Sequence, residues 1–148
     1  MLRTTTGFYW TRAKIPEETW AKLLPRDDEQ IGAQELLALP LLTATFAPWL
    51  RGALLVLAVD NARTVGSVIS GCGSAPDHNA AIGRIWLDFA AAGLAAHLVR
   101  VESACNVADG PTREDFTYLL RLKAEWVAPQ WPPWIHDFWA LALHDEKI

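Results

Sequence analysis

The residues Ala53-Leu54-Leu55-Val56-Leu57-Ala58-Val59 form an unbroken apolar run, closed by Arg51-Gly52 before it and Asp60-Asn61 after it. A run of this length bounded by turn residues has the pattern of a strand covered on both faces. Such a strand needs apolar partners on either side, and its neighbours in the sequence supply them. From Ile31 to Phe46 the positions Leu36, Leu39, Leu42 and Phe46 follow helical spacing, with Pro40 expected to kink or restrict the helix locally. Asn61 to Ile69 reads as a short helix ended by Gly71-Cys72-Gly73-Ser74-Ala75-Pro76, and His78 to Ala92 as a longer one with Ile82, Ile85, Trp86 and Phe89 inward. Leu94 to Val101 returns as a strand.

At the N-terminus, Thr4 to Ile15 is dense in Thr, Phe, Tyr and Trp and predicts a strand, paired with a second around Thr19 to Leu24 across Pro16-Glu17-Glu18. A hairpin followed by helix, strand, helix, helix and strand predicts an α/β domain with a mixed central sheet. In such sheets ligands gather at the carboxyl ends of the parallel strands. Thr112 is expected to open a further helix, with Phe116, Leu119 and Leu120 on one face and Glu114 and Asp115 in its first turn. The segment Trp126 to Trp139 holds four of the eight tryptophans among three prolines. The chain is thus expected to comprise a domain over 1–125 and a Trp/Pro-rich extension over 126–148 that packs on it.

The 148 residues suit a single core, and 51% apolar with 20% charged residues is the balance of a folded globular protein. A net charge of −4 gives no global attraction to nucleic acid, so any such binding requires a local basic patch or metal ions. Cys72 and Cys105 lie in separate predicted loops without metal-type spacing, which points to a reduced, intracellular setting, cytoplasmic or nuclear. The N-terminus lacks the charged flank and apolar run of a signal peptide, and no apolar stretch free of charge or proline reaches about 18 residues, so neither secretion nor membrane insertion is expected.

Three acids stand at the ends of these apolar segments: Glu35 near the start of the first long helix, Asp60 at the end of the apolar strand, and Asp109 in Asn106-Val107-Ala108-Asp109-Gly110-Pro111-Thr112-Arg113. Each has an ordinary structural role available: a helix-start charge, a strand-end turn acid, an acid at a helix N-terminus. A carboxylate so placed loses several kcal/mol, of order ~3, in desolvation unless cations or donors receive it, and three on separate elements suggest one shared cation site. Hard oxygen ligands of this kind suit Mg²⁺ or Mn²⁺.

The helix start Glu35-Leu36-Leu37-Ala38, the strand ending Val59-Asp60-Asn61 and the later Asn106-to-Arg113 octapeptide occur in an order that resembles the ribonuclease H fold. More narrowly, they look like the ribonuclease H-like domains of DIRS-type and related retroelement reverse transcriptase polyproteins, over about Gly7 to Arg113. The resemblance implies a three-layer α/β fold. It also implies a carboxylate cluster, here Glu35, Asp60 and Asp109, that binds divalent metal and hydrolyses the RNA strand of an RNA–DNA hybrid. An adjoining reverse transcriptase domain would be the protein partner.

The family pattern begins with an Asp on a first, central strand, whereas Met1 to Thr6 contains no acid. Asp27 and Asp28 lie in a polar loop and read as a solvated turn. The first strand is therefore expected to be missing or altered, with lowered catalytic competence or a non-catalytic scaffold as the alternative. In its absence the hairpin pairs directly with the Ala53 strand or leaves a groove. The four histidines show no ligand spacing, and Asn106 either orients Asp109 or closes a turn. Arg12, Lys14, Arg63 and Arg84 read as scattered surface cations. Trp131, Trp134 and Trp139 read as a tail packed on the domain or against a missing neighbour in preference to a base-stacking surface.

Overall fold

The computed structural model describes residues 1–25 and 30–137. Strand β1 (Leu2–Arg3) pairs antiparallel with β2 (Phe8–Trp10). The turn between them is made by Thr4, whose hydroxyl accepts from the Thr6 and Gly7 amides at 3.1 Å each. The hairpin therefore lies one element earlier than its sequence suggested. Residues Glu17–Trp20 form a short helix, α1, where the second strand was expected. Pro16 precedes the helix with φ −56°, Glu17 and Glu18 occupy its first turn, and Thr19 is sequestered by donating to Ile135 O at 2.9 Å.

Helix α2 (Ile31–Thr45) runs through Pro40, which is buried within it. The Thr43 hydroxyl donates back to Leu39 O at 3.1 Å in the turn that follows. A single turn, α3 (Ala47–Leu50), leads into strand β3 (Leu54–Val59). Asn61 then caps α4 (Ala62–Ser70) by accepting from the Arg63 and Thr64 amides, and Gly71 ends that helix at φ 74°. Helix α5 (Pro76–Ala91) buries Ile82, Ile85 and Phe89, whereas Trp86, expected inward, is 37% exposed with its Nε1 donating to Val68 O at 2.9 Å; strand β4 (Ala95–Arg100) follows.

Strands β3 and β4 pair in parallel over their full length, from Leu54 opposite Ala95 to Val59 opposite Arg100. They form a sheet of their own; the other sheet has the order β1-β2-β5, in which β5 (Glu125–Trp126) lies parallel to β2. The expected single mixed sheet is thus divided in two within a mixed α/β fold. Among the described residues the hairpin does not pair directly with β3. Leu2 nevertheless shares a core with Leu57 and Leu98, together with Leu36, Leu37, Val68, Ile82 and Ile135.

Two further expectations are corrected. Strand β3 is covered on one face only: Leu57 is buried, while Leu54 and Val56 are 79% and 59% exposed. The helix expected from Thr112 splits into α6 (Asp109–Thr112) and α7 (Thr117–Arg121). Glu114 breaks it with φ 63°, and the Asp115 carboxylate accepts from the Thr117 amide at 3.0 Å, which restarts the chain as a new helix. Leu119 is then buried and Leu120 is 76% exposed, so they do not share an inward face.

In the C-terminal segment Ile135 is fully buried and Trp131 and Trp134 pack against the core, Trp134 Nε1 donating to Asp88 Oδ2 at 2.8 Å. Trp139, His144 and the Asp27–Asp28 pair lie outside the described residues. Cys72 and Cys105 are exposed and unpaired. Among the described residues no helix is long and apolar enough to cross a membrane.

Candidate carboxylate site

Glu35 is the fifth residue of α2, on the turn whose Ala33, Leu36 and Leu37 are buried. That placement draws its carboxyl group inward. Its Oε2 is shielded from solvent without a hydrogen-bond partner, and burial is the main cause that raises its pKa above the usual 4.5. The negative charges of Asp60 and Asp109 raise it further, whereas hydrogen bonding from Asn61 and Thr64 favours the charged form. Acids from two other elements therefore reach Glu35 electrostatically.

Asp60 follows the last residue of β3, at the carboxyl end of a parallel strand. The adjoining Asn61 has two tasks. Its Oδ1 caps α4, taking the Arg63 amide at 2.8 Å and the Thr64 amide at 3.2 Å, which leaves its NH₂ group to face Glu35.

Asp109 opens α6, close after the end of β4. Its Oδ1 accepts from Asn106 Nδ2 at 3.1 Å, and its Oδ2 lies 3.7 Å from Arg113 Nη2. Asn106 Oδ1 meanwhile accepts from the Ala108 amide, so this one side chain both closes the turn and holds the acid. Gly110 is required here, because a Cβ at that position would stand 2.7 Å from the Asp115 carbonyl oxygen.

A cavity of about 400 Å³ opens between the start of α2 and α4; none of the three acids lines it, but Leu36 and Asn61, the sequence neighbours of Glu35 and Asp60, do. Arg63, Thr64, Ser67, Ser74 and His78 also line it. The site's residue types are hard oxygen donors with one shielded, unpartnered oxygen, which is the character a divalent cation requires. Among the described residues, however, no three His, Cys, Asp or Glu side chains stand close enough together to form a ready-made metal cage. His97 and His136 are exposed, His136 lying 3.4 Å from Glu18 Oε2.

The sequence reading identified the three acids but not the roles of Asn61 and Thr64 in supporting Glu35. Asn61 carried a readable signal as an N-cap residue directly before a helix. The approach of that cap to α2 is tertiary and left no local trace. Comparison with family models, curated proteins and solved structures found no match to this chain.

Proposed function

We propose that this chain is a ribonuclease H-like domain of retroelement type, acting as a metal-dependent endonuclease on the RNA strand of RNA–DNA hybrids. The observation that carries the reading is the shielded, unpartnered Oε2 of Glu35 on α2, whose carboxyl group feels the charges of Asp60 at the end of β3 and Asp109 at the start of α6. The topology is compatible with it: an antiparallel hairpin, then two parallel strands separated by helices.

Each residue has a task in this scheme. Glu35, Asp60 and Asp109 would hold Mg²⁺ or Mn²⁺, Asn106 keeps the Asp109 carboxylate oriented, and Asn61 and Thr64 partly offset the burial that favours neutral Glu35. Bound metal supplies activation of water and neutralisation of phosphate charge. Arg63, at the wall of the cavity, offers a cation to a neighbouring phosphate of the substrate.

The test is cleavage of a hybrid labelled on its RNA strand, in Mg²⁺ and in Mn²⁺. Slow, metal-dependent cleavage that Asp60→Asn abolishes, with the circular dichroism spectrum unchanged, supports the reading. A second reading, a non-catalytic scaffold packed beside a reverse transcriptase, is favoured by the absence of a closed three-ligand cluster among the described residues. Neither cleavage nor any stabilisation of the fold by millimolar metal would establish the scaffold instead.

A further inference from the structure

The outer face of the β1-β2-β5 sheet carries a set of side chains that the carboxylate site does not use. Along β2, Tyr9 points inward and stacks on Trp49 with centroids 4.9 Å apart, so Phe8 and Trp10 point outward. Trp10 sits opposite Trp126 in the parallel register, and the two rings meet edge to face at 4.6 Å. Phe116 extends the cluster at 5.4 Å from Trp10. Arg3, paired with Phe8, lays its guanidinium 5.7 Å from that ring's centre, and Arg12 lies 5.6 Å from the centre of Phe116. Trp126 is 51% exposed, and both arginines are exposed.

We infer that this face binds single-stranded nucleic acid, its unpaired bases stacking on the exposed Trp126, which the partly buried Trp10 supports from the neighbouring strand, and its phosphates meeting Arg3 and Arg12. The charges select this occupant. Neither arginine has a carboxylate partner among the described residues, in a chain whose net charge is −4, so the face is a local cationic exception. Glu114 and Asp115 precede Phe116 in sequence, and Asp115 is engaged with the Thr117 amide. Glu125, next to Trp126, is opposite Tyr9, which puts it on the other side of the sheet. An ordinary protein partner would have to bury two unneutralised guanidinium groups, whereas a phosphodiester strand neutralises them and offers a flat base to the exposed Trp126 ring. Arg12 also donates to Pro111 O at 2.7 Å, which ties the face to the turn that carries Asp109.

The experiment is fluorescence anisotropy with labelled oligo-U and oligo-dT of about fifteen nucleotides, enough to span such a face. It uses the full chain in EDTA, so it is independent of metal and of the proposed nuclease activity; failed hybrid cleavage leaves it standing. Both strands are expected to bind, a matching duplex more weakly. Trp126→Ala should weaken binding by roughly tenfold, Trp126→Phe should retain most of it, and Arg3→Gln should lower the salt dependence by about one unit of slope. Preference for U over dT would identify RNA as the source and the reverse DNA. The inference is overturned if the folded chain binds neither strand, if duplex binds as well as single strand, or if Trp126→Ala has no effect. It is equally overturned if an acidic peptide binds the face and the oligonucleotides do not displace it.

Discussion

Asn106 and Asp109 are joined by a hydrogen bond of 3.1 Å from the amide of the first to the carboxylate of the second, and the Asn106 carbonyl oxygen is itself fixed by the Ala108 amide. The acid's direction is therefore set by the turn and not by its own rotamer preference. Asn106→Ala is expected to reduce metal affinity, or metal-dependent cleavage, by about 10- to 100-fold, the usual cost of removing a group that orients a ligand. The check is Mn²⁺ titration of both proteins by calorimetry. Equal affinities would mean that Asn106 serves the turn alone.

The raised pKa of Glu35 has a definite sign in stability. In the folded chain its proton is held more tightly than in the unfolded chain, so between the usual 4.5 and the folded value the native state binds more protons. Stability from this group falls as pH rises through that window and then levels off. Glu35→Gln should accordingly raise Tm at neutral pH in EDTA while leaving it little changed below the window. Addition of Mg²⁺ should stabilise the wild type and not the variant. A variant less stable than wild type at pH 7 would contradict this account.

Supplying a strand that bears an Asp ahead of Met1 should raise hybrid cleavage by orders of magnitude, if the carboxylates of this chain are an incomplete set. Asp60→Asn in the extended protein should then abolish the gain. Timed cleavage of the labelled hybrid measures both. An extended protein as slow as the original would favour the scaffold.

Asp77 gives a prediction independent of function. It is fully buried, and its two oxygens accept from the Leu24 amide at 3.0 Å and the His78 amide at 2.9 Å. Asp77→Ala should destabilise the fold by about 1–3 kcal/mol, because it removes a fully buried carboxylate that ties the Leu24 amide to the start of α5. Urea unfolding reads this directly. A loss below ~0.5 kcal/mol would mean that water replaces the carboxylate.

Where local chemistry decides the conformation, the sequence was legible. The apolar run of β3, the N-cap Asn61, the Gly71 stop and the spacing of Ile82, Ile85 and Phe89 each act within a turn or two, and the structure contains the elements they imply. The failures lie where a distant partner decides. Thr19 to Leu24 has strand-like residues, but Thr19 is held by Ile135 O, 116 residues away. The break at Glu114 depends on Gly110 packing against the Asp115 carbonyl, a fit that periodicity does not register. At the site, the positions of the acids at element ends were readable, whereas the shielding of Glu35 comes from α4 docking on α2 and was not.

The parallel pairing of Trp10 with Trp126 has a consequence for biosynthesis. Strand β2 leaves the ribosome 116 residues ahead of its partner. At translation rates of about 5–20 residues per second, the interval is of order ten seconds. Throughout it, one edge of β2 and the aromatic rings beside it wait unsatisfied, in a topology whose long loop already makes closure slow. That edge of the β1-β2 hairpin therefore stays open until Trp126 has cleared the exit tunnel.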